Sequence, residues 1–485
     1  MHIRHLAVAA LLLFPGAAGA QLTTGTTSVV LQDKTVVRVE SGTMQVPESR
    51  ARPSTRKVTI PFYRLKSEAS TPAAPIFLLA GGPGGSWLEQ FEAEETNREA
   101  RFYQSVADVV LFDQRGAGRA TPAMSCEDSA PAPAPDAPLD IAALGGIMQR
   151  LLVQCRDRWQ SRGVDLAAYN TVESAADVND LRLALGYSKI TLIGGSYGSH
   201  LALQFMRQFP DAVDRAVIFG VEGPDHTWDD PAGALHTLQR IAAATEQSPE
   251  FRGRIPEGGL IKALEAVIAR LDAQPQLVTI GTGGAATQRV LLDGMRLRRM
   301  VRADAGRRSA AWAWPEMILS MYGGDFTAIA RRVAGQKGLK LPDPMHFSMD
   351  CASGASPARK ARSRTDPARR LFGDLNVEYE AACEVWPSED LGASFRTNVA
   401  SRVPTLVVHG TWDTSTPIEN AREVAAALPR ATLVEVVGGN HGALYNLFER
   451  WPPMRSSLAA FLAGRDVSFP ATVDDTAAIR FAPAR

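Results

Sequence analysis

The sequence predicts an α/β protein: a mostly parallel sheet covered by helices on both faces, interrupted by an inserted, mostly helical cap domain. Three observations lead there. Short aliphatic and β-branched runs, "APIFLLA", "ADVVLF", "ITLIGG" and "RAVIF", recur between segments of helical spacing, as buried parallel strands do. The same alternation returns near the C-terminus with "VPTLVVHG" and "ATLVEVVGG". Between the two blocks, from about 225 to 402, it stops and the chain reads as helix-like and loop-rich.

The expected division is therefore 1–20 as a signal peptide, 21–224 as the first part of the core, 225–402 as the cap and 403–485 as the second part of the core. A chain of 485 residues, 45% apolar and 21% charged, suits a globular protein larger than one minimal domain. Lys plus Arg equal Asp plus Glu at 52 each, so no overall field attracts nucleic acid or an anionic membrane. The sequence carries no internal repeat and no metal signature such as H-E-x-x-H or paired C-x-x-C.

At the N-terminus His2, Arg4 and His5 precede "LAVAALLLFPGAAGA", which ends in the small-x-small triplet Ala18-Gly19-Ala20. This reads as a signal peptide, with the mature chain beginning near Gln21 in a secreted or periplasmic setting. A short membrane anchor is the other reading, but the run is shorter than the roughly 20 residues that span a bilayer. The cysteines, Cys126, Cys155, Cys351 and Cys383, suit an oxidising compartment. They allow three pairings or four buried free thiols. Pairing sequence neighbours closes two loops of roughly thirty residues, each bond then stabilising by about 3–4 kcal/mol.

Taken in order, "TSVVLQDKTVVRVE" and "RKVTIPFYRLK" read as strands of an antiparallel lead-in. "APIFLLAGGPGGS" is a buried strand ending in a glycine-rich loop, and "ADVVLFDQRGAGRA" is another strand and its turn. The Ala/Pro-rich "SAPAPAPDAPLD" excludes regular helix and central strand, so an exposed excursion is expected. "TVESAADVNDLRLALG" has helical spacing, with Val178, Leu181 and Leu185 on one face and Gly186 at its end. In the cap, two arginine-heavy runs, "RLRRMVRADAGRR" and "PARKARSRTDPARR", read as solvated surface, with an anionic-substrate role as the other reading.

"ITLIGGSYGSHLALQFMRQFP" runs a buried strand straight into Gly-Gly-Ser-Tyr-Gly and then a helix. Gly194 and Gly198 leave room for an abrupt turn with Ser196 at its apex, the G-x-S-x-G elbow that holds a serine oxygen out above a sheet. The plainer reading is a serine in a glycine-rich turn. A serine hydroxyl needs an oriented base to act as a nucleophile. Asp413, just beyond "VVHG", and His441, just beyond "VEVVGG", follow in the chain order such a triad requires. Among the other histidines, His236 and His346 fall in the cap, His200 points away from the serine, and His409 is structural. His226 is the one rival to His441. The oxyanion donors would be the backbone N–H of Tyr197 and that of Gly82, since Pro83 has none.

Gly81-Gly82-Pro83-Gly84-Gly85, "DQRGAGR" at Asp113–Arg119, "GGSYG" at Gly194–Gly198 and the Asp413 and His441 loops together resemble the α/β-hydrolase peptidases. Within them the chain is most similar to the prolyl aminopeptidase and tripeptidyl aminopeptidase group. "MDCASG" and "CEVWP" are similar to the secreted tripeptidyl branch. Two positions depart from the group's pattern: Ala80 replaces the histidine usual before the glycine loop, and Ala120 replaces a small hydroxyl residue. The resemblance implies an α/β-hydrolase fold, a cofactor-free serine mechanism and release of residues from a free peptide N-terminus.

Such a substrate needs carboxylates near the nucleophile to hold its ammonium. Glu222 and Asp225, after "AVIFG", are the first candidates; a structural ion pair with a cap arginine is the alternative for Glu222. Glu89, Glu92, Glu94 and Glu95 form a second cluster that reads as a solvated helix. Asp113 and Arg115 are expected to brace loops beneath the site. The expected partner is a peptide, with a small ester for a carboxylesterase or amidase as the alternative and a non-catalytic binding protein of the same fold as the remote one.

Overall fold

Burial of both faces of each short apolar run organises the molecule, and the computed structural model describes it for residues 21–481 apart from 53–55, 284–285, 306–307, 337 and 342. The expected signal peptide, 1–20, lies outside the described residues. The strands before the insertion are β1 (Gln21–Val30), β2 (Val36–Pro47), β3 (Lys57–Leu65), β4 (Ile76–Leu79), β5 (Val109–Phe112), β6 (Ser129–Ala130), β7 (Ile190–Gly195) and β8 (Val213–Phe219). The insertion contributes β9 (Gln276–Gly283), β10 (Ala286–Leu292) and β11 (Leu339–Lys340), and β12 (Thr405–Gly410), β13 (Ala431–Val437) and β14 (Thr472–Asp474) follow it.

Ten of these form one sheet in the order β1-β2-β3-β5-β4-β7-β8-β12-β13-β14. The lead-in strands β1, β2 and β3 pair antiparallel, and every pairing from β5 to β14 is parallel. This is the α/β-hydrolase arrangement, a mostly parallel sheet with helices on both faces. Alternation within each strand divides the core in two. Phe77, Leu79, Val110, Phe112 and Leu192 face one side, where the helices Thr171–Ala184 and Tyr197–Gln208 pack. Ile76, Leu78, Val109, Leu111 and Ile193 face the other, against the helices Ala443–Arg450 and Pro452–Leu462.

The chain leaves the sheet after β8 and returns at β12, its parallel neighbour. The intervening helices have a hydrophobic core of their own, built around Leu264, Val267, Trp314, Ile318 and Leu371. The helical reading of this stretch misses an antiparallel hairpin, β9 with β10. Its Ile280, Val290 and Leu292 are buried in that core while Leu277 is exposed, a period of two obscured by the glycine- and threonine-rich sequence around it.

The Ala/Pro-rich excursion also has more structure than expected. Ser129–Ala130 pairs with Leu339–Lys340, and Arg296 donates to the carbonyl oxygens of Ala134 and Ala137. Proline removes donors but leaves carbonyls free, so a cap arginine satisfies them. Of the other cap arginines, Arg364 and Arg370 lie on the solvated surface as expected, though ion-paired, while Arg298 is mostly covered and Arg359 is buried. Arg298 pairs with Asp272, Arg364 with Glu380 and Arg370 with Glu265, and Arg359 donates to the Trp228 carbonyl. The cysteines pair as sequence neighbours, Cys126 with Cys155 and Cys351 with Cys383. Among the described residues, no helix is long and apolar enough to cross a membrane.

Candidate active site

The loops after β4, β7, β12 and β13 all leave the same, C-terminal edge of the parallel strands, where open α/β sheets place their sites. At the end of β7 the backbone reverses at Ser196, with φ 55° and ψ −131°, a left-handed conformation that non-glycine residues rarely adopt. Tyr197 opens the following helix, so its N–H has no intrahelical acceptor and points out beside the serine. Glycine is required around the turn because there is no room for a side chain. A Cβ on Gly194 would lie 2.2 Å from the Gly198 oxygen, and one on Gly198 would lie 2.2 Å from the Leu79 oxygen.

The glycine loop after β4 packs directly on this elbow, since a Cβ on Gly81 would come 3.1 Å from Ser196 Cβ. Gly82 has φ +120°, and the Gly82–Pro83 peptide is cis. Asp113 holds the loop from below: its carboxylate accepts from Ser86 Oγ at 2.8 Å and from the Leu88 and Arg119 N–H groups at 3.2 and 2.8 Å. Arg115, fully buried, donates to both oxygens of Asp177 at 2.7 Å and to the Glu48 and Ala168 carbonyls. Both residues brace loops and neither reaches the cavity.

Asp413 is fully buried. Its Oδ1 accepts the N–H groups of Ser415 and Thr416, each at 3.0 Å, and its Oδ2 accepts from Thr416 Oγ1 at 2.7 Å and from His441 Nδ1 at 2.8 Å. Burial opposes its charge, but the His441 imidazole and these donors hold the carboxyl below its ordinary value. Burial likewise opposes a charged His441, yet Asp413, with help from Glu222, holds the imidazole above its ordinary value. The ring packs against Gly220, where a Cβ would lie 2.9 Å from His441 Cε1.

Ser196, His441, Gly82 and Glu222 line one cavity of about 710 Å³, which also reaches Asp229, His346, Asp350 and Tyr379 from the insertion. Burial, reinforced by the charge of Asp229, pushes Glu222 up to about 7, against the pull of His441 and Arg359. Burial and the charge of Glu222 push Asp350 well above the carboxylate range.

The other sequence candidates fall elsewhere. Asp225 is not brought to the cavity: its carboxylate accepts from the N–H and hydroxyl of Ser356, the residue that caps the helix Pro357–Thr365. Glu92 pairs with Arg119, and Glu89 is exposed; the side chains of Glu94 and Glu95 lie outside the described residues. His226 does line the cavity, but both ring nitrogens are engaged, by the Gly223 N–H and by Glu423. His200 contacts the Gly223 carbonyl and Ser353, and His409 contacts the Val221 N–H and the Thr416 carbonyl. Sequence reasoning passed over Thr416, which the spacing D-x-x-T would have flagged, and Asp350, which sits beside Cys351 in "MDCASG".

Comparison with known proteins bears on the fold and the family. A family model described as alpha/beta hydrolase fold matches residues 74–248, and one described as TAP-like protein matches residues 369–463. The chain is 26% identical to the tripeptidyl aminopeptidase of Streptomyces lividans over 437 residues, covering 83% of this chain and 78% of that protein. It is 26% identical over 372 residues to a proline iminopeptidase of Xylella fastidiosa, covering 76% of this chain and 83% of the other. A shorter match, 26% over 191 residues, joins 38% of the chain to 36% of the serine protease Hip1 of Mycobacterium tuberculosis.

Proposed function

As the chain belongs to the α/β-hydrolases, in the group with the tripeptidyl aminopeptidases and proline iminopeptidases, we propose that it is a secreted or periplasmic serine aminopeptidase. One observation carries the reading: an elbow serine and a histidine paired to a buried aspartate line the same cavity as a mostly covered carboxylate, Glu222.

In this mechanism Ser196 Oγ attacks the scissile carbonyl while His441 Nε2 takes its proton. Asp413 keeps the other proton on Nδ1 and stabilises the imidazolium that forms. The Gly82 and Tyr197 N–H groups receive the oxyanion. The imidazolium then protonates the leaving amine, leaving an acyl-enzyme on Ser196. Water, deprotonated by the same histidine, releases the acid and restores the serine. Glu222 offers its carboxylate to the substrate's ammonium, fixing the distance from the free N-terminus to the bond that breaks.

Export is supported by the two disulfides and by the N-terminal reading. The test compares two chromogenic anilides, one with a free α-amino group and one N-acetylated, on the mature protein and on Ser196→Ala. Cleavage of the free-amine substrate alone, lost in the variant, is expected. Equal cleavage of both, or activity on esters only, would make the protein a general amidase or esterase.

A further inference from the structure

The strand that leads to Glu222 stops short of it. β8 pairs with β12 as far as Phe219 opposite Val408, so beyond that point the backbone groups of residues 221–223 need partners from side chains. Four side chains supply them. The Val221 N–H donates to His409 Nδ1 at 3.0 Å, the Glu222 N–H to Ser199 Oγ at 2.9 Å and the Gly223 N–H to His226 Nδ1 at 3.0 Å. The Gly223 carbonyl accepts from His200 Nδ1 at 3.1 Å. Three of the four are histidines, and all of them are buried.

A backbone N–H only donates and a carbonyl only accepts, so these contacts fix each ring. His409 and His226 carry their proton on Nε2, and His200 carries its own on Nδ1. The far nitrogens meet partners of matching kind. His409 Nε2–H reaches the Thr416 carbonyl at 2.7 Å, His226 Nε2–H reaches Glu423 at 3.1 Å, and His200 Nε2 accepts from Ser353 Oγ at 3.0 Å. Burial holds all three imidazoles below their ordinary value, so they are neutral at neutral pH.

His409 is the ring that joins the two halves of the site. Its Nδ1 holds the residue before Glu222. Its Nε2 holds Thr416, whose own N–H and hydroxyl fix Asp413 at 3.0 and 2.7 Å. We propose that His409 is a positioning residue: bonded to Val221 on one side and Thr416 on the other, its ring sets the distance from Glu222 to the Ser196–His441–Asp413 triad, and so the fit of the substrate's free amine. This rests on the aminopeptidase reading of the site.

Two variants divide the ring. In His409→Gln the amide nitrogen takes the place of Nε2 and keeps the Thr416 bond, leaving the Val221 N–H without its acceptor. In His409→Asn the amide oxygen takes the place of Nδ1 and keeps Val221, leaving the Thr416 carbonyl without its donor. The rate at which an uncharged fluorophosphonate labels Ser196 reads the triad, and KM for a free-amine chromogenic anilide reads the amine site. His409→Gln is expected to raise KM by about tenfold and to slow labelling much less; His409→Asn should slow labelling and bring KM back near the wild-type value. In a Glu222→Gln background His409→Gln should raise KM no further, because no carboxylate is left to position. A KM unmoved by His409→Gln, effects of the two substitutions that multiply, or equal loss of both readouts in both variants overturns the proposal. Should His409→Gln not fold, His409→Asn decides: slowed labelling with KM kept supports the proposal, and both lost alike overturns it. If no anilide turns over, protection of Ser196 from the fluorophosphonate by alanyl-alaninamide replaces KM. Glu222→Gln that leaves KM or protection unchanged, or wild-type protein that the dipeptide fails to protect, sinks the aminopeptidase reading instead, and the role of His409 falls with it.

Discussion

His441 Nδ1 lies 2.8 Å from Oδ2 of the fully buried Asp413, while Oδ1 of the same carboxylate is fixed by two backbone N–H groups. The aspartate therefore has one orientation, and only one oxygen faces the imidazole. Asn at this position would keep its oxygen on the Ser415 and Thr416 N–H groups and turn its NH2 toward His441. That NH2 donates to Nδ1, which forces the ring proton onto Nε2, the nitrogen needed as base. Asp413→Asn should fold normally and lose about four orders of magnitude in kcat. Matched circular dichroism and single-turnover assays check both halves.

Ser196→Ala should remove turnover by about four orders of magnitude or more while leaving the melting temperature within about 2 °C. Serine and alanine suffer alike from the positive φ, so the backbone has no reason to move. Near wild-type hydrolysis by the variant would mean that the elbow is only a turn.

The neighbouring glycine behaves oppositely. Gly198→Ala places a Cβ 2.2 Å from the Leu79 carbonyl oxygen, where the first turn of the helix Tyr197–Gln208 packs on the backbone at the end of β4 and neither can give way. A destabilisation of about 3 kcal/mol or more is expected, read as a lower urea midpoint or as insoluble protein.

What the sequence makes legible follows from how local each signal is. β4, β7, β12 and β13 are short, fully or half buried runs with glycine or a turn at their ends, so the loops holding Gly82, Ser196, Asp413 and His441 stand out. Glu222 stands out for the same reason, being three residues past β8. Asp225 has equal standing by that logic, and only tertiary structure separates them, because Ser356 claims it from the insertion. The opposite wall of the cavity is illegible for a related reason. Asp350 and Tyr379 lie on separate helices, neither follows a sheet strand, and they meet only through the fold of the insertion.

The pH profile tests the charge coupling across the cavity. His441 acts as a base when neutral, and Asp413 and Glu222 favour its cation, so the acid limb of kcat/KM should have its midpoint above the ordinary imidazole value of about 6.5. Activity falls as pH drops through that point. Glu222→Gln removes a charge that raises the imidazole, so the limb should move to lower pH even as free-amine substrates bind worse. A limb that stays in place would show that Glu222 does not act on His441.

The two disulfides should differ in what they protect. Each closes a loop of about thirty residues and, by loop length, stabilises by about 3–4 kcal/mol, so loss of either should lower the unfolding midpoint by a comparable amount. Cys351–Cys383 also joins the helix Pro344–Ser353, which carries His346 and Asp350, to the helix Val377–Cys383, which carries Glu378 and Tyr379. All four residues line the cavity. The Cys351→Ala, Cys383→Ala pair should therefore raise KM well below the melting transition, whereas the Cys126→Ala, Cys155→Ala pair should leave KM unchanged there. Kinetics at a temperature where both variants remain folded separate the two roles, and equal KM values would show that the bond does not hold the wall in place.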